Sequence, residues 1–257
     1  MNKIIHKADS RGYADHGWLQ SFHSFSFANY HNPEKVRFGL LRVLNDDIVA
    51  PGMGFGTHPH DNMEIVTIPL KGELAHQDST GNKEVIKAGE VQIMSAGSGL
   101  THSEFNNSKK EFVNLFQIWV FPKEKNITPR YDQKIFDPEE RKNKFQTVVS
   151  PDEKDGALWI NQDAYFTLGN FDEGNSLKYE IKKNGNGVYV MITEGSAEID
   201  GVNYWVSGWA RESARGPLIS LKLEKKEQQT AAQKPASTAP AYVPQAAPAP
   251  DDDDIPF

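Results

Sequence analysis

The chain of 257 residues contains no cysteine. A disulfide framework and a thiolate metal site are both excluded, so any transition metal must be held by imidazole nitrogen and carboxylate oxygen. Long apolar runs are missing as well. Nowhere do about eighteen apolar residues follow one another, and the opening Met1–Tyr13 lacks the apolar core of a secretory signal. A cytoplasmic protein that neither spans nor binds a membrane is expected. Positive charge is in deficit: 28 Lys and Arg stand against 35 Asp and Glu, for a net charge of −7, and Asp251 to Asp254 supply four of those negative charges. That balance leaves no basic footprint for direct nucleic-acid binding. Histidine is absent from the second half, all eight lying from His6 to His102. A three-imidazole site can therefore be built only from the first half.

What is present reads as β-structure. An apolar content of 38% with 11% aromatics is ordinary for a globular chain of this length, and two domains are expected. Between Val36 and Pro122 the apolar runs are short: FGLLRVL from Phe38, MEIVTIPL from Met63, VQIMSA from Val91 and NLFQIWVF from Asn114. Gly, Asn, Asp and Pro clusters separate them, and no helical period persists, which predicts an all-β barrel or sandwich. Residues 123–144 are polar and contain proline, and predict a connector with at most one short helix. From Phe145 the strand–turn rhythm resumes and runs through YWVSGWA and PLISLKL. The expected division is a domain over 1–122, the connector, a second β domain over 145–225 that carries no metal, and a disordered linker over 226–257.

Two short motifs carry the chemistry. His58-Pro59-His60 and His102-Ser103-Glu104 lie within strand-like sequence, inside Gly52-x5-His58-x-His60-x3-Glu64-x7-Gly72 and Gly89-x5-Ser95-Ala96-Gly97-x4-His102-x-Glu104-x-Asn106. A strand turns residues i and i+2 to one face, so two neighbouring strands can aim four ligand groups at one point. The carboxylate has two candidates. Glu64 is four residues past His60, about 13 Å along a strand rising roughly 3.3 Å per residue, whereas Glu104 shares a face with His102. Glu104 is the better placed. Three His and one Glu would leave open positions on a six-coordinate ion, unlike a closed structural zinc site.

These motifs resemble the two-part metal signature of the cupin superfamily. More narrowly, the blocks His16-Gly-Trp18, Phe25-Ser-Phe27-Ala-Asn-Tyr30, Thr57-His58-Pro-His60 and Met94-Ser-Ala-Gly97-Ser-Gly-Leu-Thr-His102-Ser-Glu104-Phe105-Asn106 resemble the pirin family over about residues 3–200. The resemblance implies two jelly-roll β-barrels in tandem, the first binding one divalent transition metal through His58, His60, His102 and Glu104. Iron(II) is the expected ion, with zinc, nickel, copper and manganese as alternatives. It also implies an activity like that of quercetin 2,3-dioxygenases, in which Glu104 takes the proton of a flavonol hydroxyl and dioxygen opens the ring. The alternative is an iron-binding regulatory protein that acts through protein partners.

Around the ligands, Glu64 and Gln117 are candidates to support them, and Trp18, Phe25, Phe27 and Phe55 to line the barrel mouth. His23 and His76 are lone histidines, which read as satisfied polar residues rather than ligands. Asp61-Asn62 follows His60 where many pirins carry Arg-Asp, which removes a positive charge that would attract an anionic substrate.

Past about Gly201 the pirin resemblance ends. The terminus PQAAPAPDDDDIPF resembles the C-terminal tail of bacterial single-stranded-DNA-binding proteins, in which a flexible linker carries an acidic tip to partner enzymes. Asp251, Asp252, Asp253 and Asp254 would face a basic surface, and Ile255, Pro256 and Phe257 would fill a small apolar pocket. The alternative is a low-complexity end that only aids solubility, or a fusion relic. A monomer is expected.

Overall fold

The computed structural model describes residues 3–199, 202–205, 208–212 and 219–222. The linker and the acidic tip, Asp251 to Phe257, lie outside them. The described residues contain three 3-10 turns and no α-helix, and no helix among them is long and apolar enough to cross a membrane.

The first part of the chain forms β1 (Lys3–Lys7), β2 (Gly12–Asp15), β3 (Leu19–His23), β4 (Leu41–Val49), β5 (Gly54–His60) and β6 (Glu64–Lys71). β7 (Glu73–Asp78), β8 (Lys83–Lys87), β9 (Glu90–Ser95), β10 (Leu100–Asn106), β11 (Val113–Val120) and β12 (Arg130–Ile135) follow. Two antiparallel sheets face each other as a jelly-roll barrel: a seven-stranded sheet ordered β12-β9-β6-β11-β4-β3-β2 and a four-stranded sheet ordered β5-β10-β7-β8. The segment expected as a bare connector thus supplies β12, which pairs with β9 at the edge of the larger sheet. The short helix expected there is a 3-10 turn, Pro138–Arg141, whose first turn is capped by the Asp137 carboxylate accepting from the Glu139 amide.

The period-two alternation of strands divides the large sheet between two cores. Leu19, Val49, Val113 and Leu115 meet Leu74 and Ile86 of the small sheet inside the barrel. On the opposite face Leu44, Val66, Ile68, Val91, Ile93, Phe116 and Ile118 pack against Val148, Val149, Leu158 and Ile160 of the second β region. Burial on both faces explains why β6 reads as a continuous apolar run. Each such aliphatic side chain contributes about 1.5–3 kcal/mol on burial.

The second region comprises β13 (Gln146–Ser150), β14 (Leu158–Trp159), β15 (Phe166–Leu168), β16 (Ser176–Tyr179), β17 (Val188–Met191) and β18 (Ser196–Ile199). It continues with β19 (Val202–Trp205), β20 (Gly208–Glu212) and β21 (Ile219–Lys222), so YWVSGWA and PLISLKL do carry strands. The chain start belongs to this region too. β1 pairs with β20 over its full length, from Lys3 opposite Glu212 to Lys7 opposite Gly208, and β20 pairs on its other side with β17. Pairing both sides of β20 removes an edge that would otherwise be left open.

The pairing of β5 with β10 positions the functional residues. His58 lies directly opposite His102 and His60 opposite Leu100, and a bulge between His102 and Glu104 shifts the register so that Glu104 opposes Phe55. The strands approach so closely at Gly54 that a Cβ there would lie 2.1 Å from the Glu104 carbonyl oxygen and 2.5 Å from the Phe105 Cα. Only glycine fits. Gly54→Ala is expected to push β5 off β10, lower stability by about 1–3 kcal/mol and reduce the metal bound per chain. Urea unfolding together with metal analysis checks this, and wild-type values in both would show that the close approach is dispensable.

Candidate metal centre

His58 and His60 project from β5, and His102 and Glu104 from β10, into one end of the first barrel. The His58 and His102 ring centroids are 4.3 Å apart, those of His58 and His60 4.9 Å, and those of His60 and His102 4.8 Å. One donor atom from each of the three lies within 4.8 Å of the others. His58 Nδ1 is 2.8 Å from the Gly56 carbonyl oxygen and donates to it, which fixes the tautomer that carries its lone pair on Nε2, the usual arrangement of a metal-binding imidazole.

A second group overlaps the first: His76, His102 and Glu104, all buried, bring their donor atoms within the same limit. The register explains it, because His76 of β7 lies opposite Glu104 and Asp78 opposite His102. His76 Nε2 is 3.2 Å from Asp78 Oδ2, and the His76 ring stacks at 4.7 Å on Tyr131. His76 was expected to be a satisfied polar residue; its Nε2 is paired with Asp78, but its Nδ1 is buried without a partner, and it stands beside the candidate ligands.

The electrostatics suit a cation. Burial, reinforced by the neighbouring imidazoles, depresses His102 to about 2 and His60 to about 4. His58 is lowered by the same causes, so all three imidazoles are neutral at neutral pH and available as candidate ligands. Both ring nitrogens of His102 are buried without a hydrogen-bond partner, a costly state for an imidazole that coordination of an ion would relieve. A divalent transition metal fits these donors. Glu104, desolvated and close to the Asp47 carboxylate, is pushed up to about 7. Its Oε2 accepts from Gln117 Nε2 at 2.8 Å, and Gln117 Oε1 accepts from Thr67 Oγ1 at 3.1 Å. Gln117 does hold the acidic candidate, as its inward place on β11 suggested.

His58, His60, Glu104 and Gln117 line a cleft of about 530 Å³, part of it open to solvent. Phe27, Phe55 and Trp119 give it apolar walls, while His16, Ser21, His23, Asn45 and Asp47 make another wall polar. Sequence reasoning did not find Ser21, Asn45 and Asp47. They lie on β3 and β4, far from both motifs, and the only available signal was polar residues interrupting strand-like runs.

Three expectations are corrected. Glu64 does not reach the ligands; β6 turns it to the other face of the large sheet, where Oε2 accepts from Ser95 Oγ at 2.8 Å and the Asn161 amide at 3.1 Å. Phe25 belongs to the core between the two β regions and lies 5.6 Å from Tyr189. Trp18 packs edge-on to Phe55 against the inner core, away from the cleft lining.

A jelly-roll barrel with converging imidazoles, followed by a second β unit without histidine, defines a bicupin. The Pirin family model matches residues 5–120 and that of the Quercetinase C-terminal cupin domain residues 147–208. A quercetin 2,3-dioxygenase of Escherichia coli is 48% identical over 198 residues, 77% of this chain and 84% of that protein. A pirin-like protein of Caulobacter vibrioides is 43% identical over 76% of this chain and 83% of its own. The crystal structure of a bacterial pirin from Escherichia coli in complex with nickel(II) superposes with a TM-score of 0.81 at 41% identity, covering 87% of this chain and 95% of that one. The chain belongs to the pirin family.

The buried titrating groups set opposite pH trends. The lowered histidines lose their contribution as pH falls below the ordinary imidazole value of 6.5, because the unfolded chain then takes up protons that the fold refuses. Asp47 is raised by burial from 3.8 to about 7, so its contribution is complete below about pH 4 and is lost as pH rises toward 7. Metal-free Asp47→Asn is expected to gain stability relative to metal-free wild type between pH 5 and 7.5, where the wild-type contribution of this residue falls away. Thermal unfolding of both proteins in chelator across that range checks the sign.

Proposed function

We propose that this protein is a metal-dependent dioxygenase that opens the ring of a flavonol such as quercetin, with His58, His60, His102 and Glu104 as the metal ligands. The observation that carries the reading is the convergence of three neutral imidazoles beside one raised carboxyl group in a cleft with aromatic walls. Relatives named quercetin 2,3-dioxygenase support it. When bound, the divalent transition metal, iron(II) foremost, supplies a Lewis acid and a template with open positions.

The chain's own residues do the rest. Phe27, Phe55 and Trp119 flank a planar ring system and keep water from it. The Glu104 carboxylate accepts the proton of the substrate's 3-hydroxyl, and burial together with the nearby Asp47 carboxylate raises its affinity for that proton. Gln117 donates to Glu104 Oε2 and fixes the orientation of the carboxylate. The activated ring then takes up dioxygen and loses carbon monoxide. The second β region buries the outer face of the large sheet and so holds β6 and β11 in place.

Protein loaded with iron(II) under anaerobic conditions and mixed with quercetin and oxygen is expected to consume oxygen and bleach the flavonol band. His58→Ala should lower that rate at least ~100-fold, and Glu104→Gln by roughly 10²–10⁴-fold, the range for loss of a general base. Chelation should abolish the rate and reloading restore it. No turnover of any flavonol by fully loaded wild-type protein would refute the dioxygenase reading in favour of a regulatory metalloprotein.

A further inference from the structure

The polar wall of the cleft has unfilled hydrogen-bonding capacity. β3 and β4 are paired so that Ser21 lies opposite Asp47 and His23 opposite Asn45, and Asn45 in turn lies opposite Gln117 of β11. Ser21, His23, Asn45 and Asp47 are 3%, 2%, 3% and 4% exposed, and all four line the cleft that His58, His60 and Glu104 also line. Ser21 Oγ donates to Asp47 Oδ1, so that pair is internally satisfied on one side. Asn45 Oδ1 and His23 Nδ1 are not: both are buried with no hydrogen-bond partner. Burial holds the His23 imidazole in its neutral form, so one of its ring nitrogens is a lone-pair acceptor.

Orphaned acceptors on a cleft wall call for donors from a ligand, because a buried acceptor left unpaired costs about 1–3 kcal/mol. A ligand that fits must bring O–H or N–H groups to this wall while its flat body lies between Phe27, Phe55 and Trp119. Phenolic hydroxyls on a planar aromatic meet both demands. We propose that Asn45, His23 and Asp47 form a recognition wall for the phenolic hydroxyls of the substrate, on the large sheet, while its chelating oxygens face His58 and His60 across the cleft. This rests on the dioxygenase reading for the orientation of the ligand, and it makes these three residues specificity-determining positions outside the metal-ligand set.

The test uses full-length nickel(II)-loaded protein under anaerobic conditions, titrated with quercetin and with 3-hydroxyflavone, which keeps the chelating oxygens but lacks the other hydroxyls. Wild type is expected to bind quercetin at least about tenfold more tightly, one to two net hydrogen bonds' worth. Asn45→Leu and His23→Phe should reduce that preference to near unity, with 3-hydroxyflavone affinity and metal content unchanged. Equal affinity of wild type for the two flavonols overturns the wall, even if both are turned over, and this result needs no variant to fold. A preference that persists in folded, metal-loaded variants overturns it too. Pyrogallol separates the two ideas. If neither flavonol binds but pyrogallol binds with an affinity that falls about tenfold in Asn45→Leu, the wall stands and the flavonol reading falls. If pyrogallol also fails to bind, both fall.

Discussion

The antiparallel register of β5 against β10 is the constraint on which the rest of the structure depends. It sets His58 directly opposite His102, and the bulge after His102 lets Glu104 face inward as well. A shift of one residue would turn every one of these side chains to the other face of the sheet. Gly54 secures the register sterically, since any Cβ at that point would collide with the backbone of β10. β7, on the far side of β10, adds His76 and Asp78 to the same row. A strand bearing two metal-motif residues thus lies between one bearing two histidines and one bearing a His–Asp pair, all within a small sheet of four strands.

The larger sheet does two jobs because it is buried on both faces. Its inner face closes the barrel and carries Thr67 and Gln117 to Glu104. Its outer face is the floor of the second β region. Glu64 shows what the second region requires of the first. Burial pushes its carboxyl upward, and the Asn161 amide, the Ser95 hydroxyl and the nearby Arg130 charge pull it partly back. A buried acid hydrogen-bonded to a backbone amide across that junction ties the two regions by a directional contact as well as by apolar packing. The pairing of β1 with β20 adds a covalent route for the same linkage, since the first strand of the chain lies in the second region.

Within the cleft the charges are arranged by desolvation. The imidazoles are driven neutral, while Asp47 and Glu104 are driven toward protonation. Asp78 goes the other way: burial opposes its ionisation, but hydrogen bonds from Asn82, Thr80 and His76 prevail and hold it at about 2. Metal-free protein therefore keeps several ligand groups in uncharged forms, and binding a cation would draw Glu104 into its ionised state. The site and its polar wall share one low-dielectric space, so a change on one side is felt on the other.

Much of this was legible in the sequence. The His-x-His and His-x-Glu spacing, the missing cysteines and the strand rhythm were enough for an all-β fold with one imidazole-rich site in the first half, because side-chain alternation along a strand is a local property. Glu64 marks the limit: its number of residues from His60 was plain, but which face of β6 it would occupy depended on the turn between β5 and β6. Phe25 and Phe27 illustrate it again, two residues apart on similar sequence, one in the core between the two β regions and the other at the cleft. Asn45, Asp47 and His76 carry no motif, and they join the site only through cross-strand pairing between segments distant in the chain. By itself the sequence determined the ligand types and their spacing, since these follow from residue identity and a period of two. Tertiary structure alone decided which other polar groups share their cavity, because strand order and register are set by packing that no local pattern encodes.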